Sequence, residues 1–599
     1  MRDSNNAAKI DFVKGEILPK TAEFWSLALS VIPVSGNLLV TTSELDNRIY
    51  CGDSEFSEVP SEHISQGIPN ADLVLYVSGT PSSRFCAGTT LAVAVACNFD
   101  QYDRPTAGAV NFCLDQINFG SDGKPSESMV QDNVDVAIHE AAHVLGMSSN
   151  SYRFFWDSET GKPRTSRPFQ TSTVTCVDGE TRSLILPSAD TMQFFVAETG
   201  ERYASIVTPK VRTVARNQFN CQSLAGAQLE NQPTGSESCT GDHWDERLYY
   251  PESLSAVISP TTNVLSHLTL ALMEDTGWYK VNYTQGRSNP WGLNAGCDFV
   301  TNACLIPDDP PIIPEYSRGY FCNEASARGC SSELTHKMAC TVIDYEYILP
   351  KVLPDSQFIY FPSTPSRGGP RQGDYCPVFG STYKGLEAEN LDCTLNSNVN
   401  TIIDSINVYS EVFGQESKCF ETSTGEGRCY RAACVKDEMK LKLNIRGEWF
   451  TCDYDFQVLN VQLGSGLIQA SITCPRLSSA CPDLFCPFNC AGRGVCNYGA
   501  TSNGTTTPKC ECFDGSDNSP GCSDSQIPDG GFLRDSTGLF DNVEENFFDP
   551  LIAVFVDHPD KWKSASWGWA AGLMIVFLVM LLCICSSFWP GPRYEKSNA

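Results

Sequence analysis

Along the first half of the chain, apolar residues alternate with polar ones or gather in short runs. Residues 71–79 (ADLVLYVSG), 91–97 (LAVAVAC) and 107–113 (AGAVNFC) are bounded by Gly, Pro and Asn and predict β-strands. The period then changes. In 132–147 (DNVDVAIHEAAHVLGM), Val134, Ile138, Ala141 and Leu145 recur at helical spacing and are expected to face a core, with Gly146 as the stop. A second helix is expected over 262–279 (TNVLSHLTLALMEDTGWY), where Leu265, Leu268, Leu270, Leu272 and Met273 form a broad apolar face. Strands followed by such a helix indicate an α+β layer of sheet and helix. The run FWSLALSVIPVSGNLLV, from residue 24, contains Pro33 and is expected to be strand and turn. Residues 148–242 mix polar loops with short apolar pieces, and after Pro290 helical periodicity fades while cysteines become frequent.

The last apolar run differs in kind. Trp567–Phe588 (WGWAAGLMIVFLVMLLCICSSF) has 22 residues and no charge, and a bilayer core takes about 20 residues of helix. Trp567, Trp569 and Trp589 fall where interfacial aromatic rings prefer to sit. A transmembrane helix is expected there. Lys561 and Lys563 flank one end and Arg593 and Lys596 the other, so basic residues alone do not orient it. The cysteines do. Of 28, 26 lie before residue 523, a number and density that read as a disulfide framework in an oxidising compartment. Two sequons, at Asn282 and Asn503, agree with a secreted route. The large N-terminal portion is therefore expected outside the cell, with 589–599 as a cytosolic tail. The beginning, MRDSNNAAKIDFVKGEILPK, lacks the apolar centre of a signal peptide, so this start is expected to be internal to a longer precursor.

Length and charge narrow the function classes. A chain of 599 residues is too long for one core. The 42 basic and 71 acidic residues leave a net charge of −29, which repels phosphate backbones and argues against nucleic acid as a partner. Cys486, Cys490, Cys496, Cys510, Cys512 and Cys522, with Gly494-Val-Cys496 and a closing C-E-C-F-D-G, resemble an EGF-like module, a kind of domain that depends on its bridges. Beyond it the chain is acidic and rich in Gly and Asp, as in a stalk.

The chemistry is concentrated in His139-Glu140-Ala141-Ala142-His143. Side chains at i and i+4 of a helix stand one above the other, so both imidazoles reach one metal ion. Glu140, rotated from that face, is placed to take a proton from a water that zinc has made acidic. Two histidines leave a catalytic zinc one protein ligand short. The compact metzincin pattern would place a third His at position 149, which is Ser149. The histidines that remain are His63, His243, His267, His336 and His558. His243, in Cys239-Thr-Gly-Asp-His-Trp before the second expected helix, is chosen on position alone.

H-E-x-x-H-x-x-G, a long insertion, a separate His-Trp and a helix ending E-D-T-G-W-Y together resemble leishmanolysin, a surface metalloprotease family of the metzincin clan. Residues 57–77 (SEVPSEHISQGIPNADLVLYV) are similar to the stretch leading into that family's sheet. The resemblance covers about residues 50–285 and continues loosely into the Cys-rich part. It implies a metzincin-type zinc protease domain (twisted sheet plus active-site helix). It also implies Zn2+ held by His139, His143 and His243, with Glu140 as general base, in a surface endopeptidase made with an inhibitory propeptide. One position departs from the family: Leu254, in Pro251-Glu-Ser-Leu-Ser-Ala256, stands where a methionine turn is expected beneath the metal. Leu and Met are close in volume and the exchange is expected to be tolerated.

The organisation expected is 1–147 and 148–288 for the protease domain, 289–475 for a Cys-rich domain and 476–525 for the EGF-like module. An acidic stalk over 526–566, the transmembrane helix 567–588 and the tail 589–599 complete it. The expected function is a cell-membrane, single-pass type I zinc endopeptidase acting on proteins or peptides. The competing expectation is a membrane-tethered adhesion ectodomain with extracellular partners on the same scaffold. An intact Glu140 favours the enzyme, because a pure binder has no use for a general base.

Overall fold

The structure, a computed structural model, describes residues 4–523 except 57, 121–122, 198–199, 237, 257–258, 260, 262, 351–357, 402–406, 464–467 and 503. The expected stalk from 526, the transmembrane helix, the cytosolic tail, the second sequon at Asn503 and His558 lie outside the described residues. Among those described, no helix is long and apolar enough to cross a membrane.

The chain begins with α1 (Ser4–Phe12), a π-helical turn and α2 (Leu18–Ala28). The beginning of the stretch expected as strand and turn is thus helix up to Ala28. Thr21, Trp25 and Ala28 recur at helical spacing and are buried, and the Trp25 indole donates to Ile138 O at 3.3 Å. A face that packs on another helix overrode the reading of an apolar run with a proline.

The three expected strands form as β1 (Val74–Ser78), β2 (Ala92–Phe99) and β3 (Pro105–Phe112). β3 is central, parallel to β1 and antiparallel to β2. Its alternation divides two cores. Ala107 and Ala109 pack with Leu38, Val40 and Phe56 on one face, while Val110 and Phe112 join the core around α3 (Glu127–Leu145) on the other. Gly108 lets the helix sit close, since a Cβ there would collide with Val144. α3 starts five residues before the expected 132 because Ser126 caps it, accepting from Met129 N–H.

The insertion holds β4 (Met192–Val196), β5 (Arg202–Ile206), α4 (Pro209–Phe219) and β6 (Ala227–Gln228), with the strands in the order β6-β5-β4. The second expected helix is shorter than 262–279: α5 runs His267–Asp275. Residues before it are extended, because Val264 exchanges backbone bonds with Pro251 O and Ser253 N. Ser266 then caps α5, and Gly277, with φ +77°, follows its end.

The Cys-rich part contains a six-stranded antiparallel sheet built from β7 (Ser417–Thr422), β8 (Gly427–Val435), β9 (Lys440–Ile445), β10 (Glu448–Cys452), β11 (Val458–Leu463) and β12 (Ile468–Thr473). Their order is β10-β9-β8-β7-β12-β11. It has its own core around Phe420, Tyr430, Leu441 and Leu443. The first core nevertheless reaches beyond residue 288, to Tyr360, Val378 and Ala491. Thirteen disulfides pair the twenty-six cysteines from Cys51 to Cys522, as the even count anticipated.

Candidate metal centre

In α3, Val134, Ile138, Ala141 and Leu145 are buried as their spacing predicted. Near the C-terminal end the remaining faces are covered too, by α2, by β3 and by the loop after the insertion, so His139 and Glu140 are also buried. The helix stops at Gly146, where φ is +143° and the chain turns back under its last turn.

His139, His143 and His243 meet there. Their ring centroids are 4.7, 5.1 and 5.0 Å apart, pair by pair, and one ligand atom from each lies within 4.8 Å of the others. The other nitrogen of each ring is committed elsewhere. His139 Nδ1 faces Ser253 O at 2.5 Å, His143 Nδ1 faces Met147 O at 2.6 Å, and His243 Nδ1 faces Glu230 Oε2 at 2.7 Å. Carbonyl and carboxylate oxygens only accept, so each Nδ1 carries a proton, and in the neutral ring Nε2 then presents a lone pair. His139 Nε2 and His143 Nε2 are 3.0 Å apart. Two lone pairs at that distance repel, and a cation between them removes the repulsion. This donor set fits a zinc ion, with each imidazole oriented by an oxygen behind it.

The electrostatics agree. Burial, aided by the neighbouring imidazoles, pulls His139 well below its ordinary pKa and brings His143 down to about 4, which keeps both neutral, as metal ligands must be. Burial would lower His243 as well, but the Glu230 hydrogen bond and the charges of Glu230, Asp242 and Glu140 outweigh it and raise its pKa. Burial pushes Glu140 up to about 8, opposed by His243. A divalent cation among the imidazoles acts in the same direction as His243 and favours the carboxylate.

The other histidines among the described residues lie elsewhere. His267 is 2% exposed at the start of α5, edge-on to Phe488, with its pKa lowered to about 4 by burial. It lines a cavity of about 440 Å³ that includes none of the three clustered histidines. His336 lies 3.8 Å from Asp392, and His63 bonds Tyr76 at 3.0 Å. Cys486, Cys490 and Cys510 also lie close together, but all three are in disulfides and offer no thiolate.

Leu254 is fully buried in the turn beside the site. Trp244 N–H donates to Leu254 O at 2.9 Å, and the preceding carbonyl, Ser253 O, is the one that orients His139. Sequence reasoning missed Glu230 and Asp242. Glu230 reaches His243 because Leu229 pairs with Trp244 and Glu230 N–H donates to His243 O at 2.8 Å, a register with no local signature. Asp242 is adjacent to His243 in the chain, which is a signal that position alone offered.

The leishmanolysin (peptidase M8) family model matches residues 3–487. The chain is 27% identical to the leishmanolysin-like peptidase of Drosophila pseudoobscura pseudoobscura, over 80% of this chain and 78% of that protein. It is 28% identical to the leishmanolysin-like peptidase of Caenorhabditis briggsae, over 78% of this chain and 80% of that protein. With the leishmanolysin of Leishmania major it shares 26% identity over 75% of this chain and 62% of that protein. The family match runs through both the helix and the loop that carry the clustered histidines, and the chain belongs to the leishmanolysin family of zinc metallopeptidases.

Proposed function

We propose that this protein is a cell-surface endopeptidase in which His139, His143 and His243 hold the zinc ion and Glu140 is the general base. The observation that carries the reading is the convergence of three imidazoles whose Nδ1 atoms are all turned to oxygen acceptors. Held by His139, His143 and His243, a zinc ion would supply Lewis-acid polarisation of the scissile carbonyl and lower the pKa of a water toward ~7. Glu140, next to His139 and free of hydrogen bonds to the described residues, takes the proton from the attacking water. It then delivers that proton to the leaving amine nitrogen, so one water is consumed and a carboxylic acid and an amine are formed, the acid's proton passing to the amine to leave carboxylate and ammonium. Ser253 O, Met147 O and Glu230 hold the three rings at their angles.

The display belongs to the same proposal. The uncharged run Trp567–Phe588 supports a single C-terminal span with the catalytic part outside, and thirteen disulfides support an oxidising compartment. The bridges Cys486–Cys496, Cys490–Cys510 and Cys512–Cys522 around the paired strands β13 (Gly494–Asn497) and β14 (Lys509–Cys512) support an EGF-like module over 476–525. That module is fastened to the protease part through Asn217, whose amide donates to Asn489 O and Gly494 O and accepts from Cys496 N–H. The remaining divisions, 1–147, 148–288 and 289–475, with stalk and tail beyond, follow the same reading.

Purified full-length protein in detergent is expected to cleave an unfolded protein substrate internally, to stop when a chelator removes zinc, and to recover when zinc is restored. Hydrolysis indifferent to the chelator overturns the reading. Carbonate-washed membranes are expected to retain the protein, and its release by the wash overturns the anchor.

A further inference from the structure

The turn after α3 serves both halves of the histidine cluster. Met147 O orients His143. Two residues on, Ser149 N–H donates to Asp242 Oδ1 at 2.5 Å, and Ser148 Oγ lies 3.4 Å from the same oxygen. Thr234 Oγ1 donates to the other carboxylate oxygen at 2.8 Å, and Ser238 Oγ to Ser149 Oγ at 3.1 Å. Asp242 immediately precedes His243. Position 149 is where a compact metzincin pattern would carry its third histidine on a continuous chain. Here that position instead offers a backbone donor to the residue beside a histidine 94 positions further on.

We propose that Asp242 is a positioning residue that clamps the His243 loop to the turn after the active-site helix. The inference rests on His243 being the third zinc ligand. Charge-assisted bonds from a backbone N–H and a hydroxyl are short and directional, and they tie the residue before His243 to the turn after α3, a contact separate from that of Glu230 with the ring. Without Asp242, Glu230 N–H on His243 O and the bridge between Leu229 and Trp244 still hold the backbone of His243 to its neighbouring segment, but the carboxylate tie from that backbone to the turn after α3 is gone. A displacement of about 1 Å is enough to spoil a metal site. The clamp replaces covalent continuity with a side-chain contact across the insertion.

The test is zinc affinity, measured on the full-length protein by competition with a chromogenic chelator, together with the Tm of the zinc-stripped protein. Asp242→Ala is expected to weaken zinc about 10- to 100-fold, the usual effect of losing an outer-shell partner, while the stripped protein melts near the wild-type temperature. Asp242→Asn keeps an oxygen for Ser149 N–H and is expected to recover most of that loss. Wild-type affinity in Asp242→Ala overturns the clamp, and so does an Asp242→Asn protein as weak as Asp242→Ala, since charge alone would then be at work. If Asp242→Ala does not fold, the exposed Thr234→Ala decides: releasing one oxygen is expected to weaken zinc about threefold, and no change overturns the clamp. His243→Ala separates the two levels. Retained zinc in that variant brings down the ligand assignment itself. Lost zinc there, with normal zinc in Asp242→Ala, brings down only the clamp.

Discussion

His139 and His143 reach their meeting point along one turn of helix, whereas His243 reaches it on a loop that returns after an insertion of about a hundred residues. On α3 the spacing is set by backbone hydrogen bonds, and the helix is seated on β3 through Gly108 and against α2 through Trp25. The loop has no regular structure to rely on. It is held by a bridge between Leu229 and Trp244, by Glu230 on the ring, by Asp242 on the turn after α3, and by Cys176–Cys239 closing most of the insertion. Loop closure costs grow only logarithmically with length, so a distant ligand is affordable once side chains define where it stops. The helix supplies geometry by its period; the loop supplies it by contacts.

The largest expected effect separates chemistry from metal binding across these two regions. Glu140→Gln, on the helix, is expected to lose 10²–10⁴-fold or more in turnover while keeping full zinc. His243→Ala, on the loop, is expected to lose zinc and activity together, and His267→Ala and His336→Ala to keep normal zinc stoichiometry. Metal analysis beside a protease assay checks all four, and zinc lost from His267→Ala but kept by His243→Ala reverses the assignment.

Next is the seat of the helix. Gly108→Ala forces Val144 off β3 and is expected to lower stability by about 1–3 kcal/mol, read as a shift in the denaturation midpoint. A neutral result means that the helix rides on the sheet less tightly than its contacts show.

His267, a second histidine downstream of the helix, provides a pH test. His267 titrates at about 4 in the folded protein against 6.5 in an ordinary setting, because burial disfavours its charged form. Below pH 6.5 the unfolded chain binds a proton that the native chain refuses. Stability from this residue is therefore complete above about pH 6.5, falls as the pH drops toward 4 and levels off below. The whole effect is on the order of 3 kcal/mol. His267→Leu is expected to remove that part of the slope, so the difference between wild type and variant should change between pH 7.5 and 4.5. A constant difference refutes the buried neutral state.

The smallest effect is expected at Leu254→Met. Leu254 packs in the turn whose Ser253 carbonyl orients His139, and the two side chains are close in volume, so stability should change by less than about 1.5 kcal/mol and zinc affinity hardly at all. A large gain in zinc affinity would show that the side chain, and not only the turn, acts on the site.

Much of the fold around the helix was legible because its patterns are local. The runs at 71–79, 91–97 and 107–113 became β1, β2 and β3 with ends shifted by a few residues. The helical stripe of Val134, Ile138, Ala141 and Leu145 is buried, together with Val136, Ala137, Ala142 and Val144 on the other faces. The first turns of α3 were missed because Ser126 begins the helix ahead of its apolar stripe. α2 was missed because an apolar run with a proline looked extended, although Thr21, Trp25 and Ala28 carried helical spacing. The six-stranded sheet went unread among the cysteines, yet Lys440-Leu-Lys-Leu-Asn-Ile445 alternates in sequence as it does in burial.

What the sequence determined by itself was whatever one helical turn or a parity count can hold. His139, Glu140 and His143 belong together because i and i+4 coincide in any helix, and twenty-six cysteines in an even set announced bridges without saying which. His243 was chosen on position, and the folded chain brings its ring beside the other two while His267 lies elsewhere; the Glu230 and Asp242 contacts and every disulfide partner were decided only in the folded chain. Those depend on strand register and loop closure between residues tens of positions apart. Such contacts leave no period in the sequence, because the free energy that selects them comes from packing the whole core and not from any one segment.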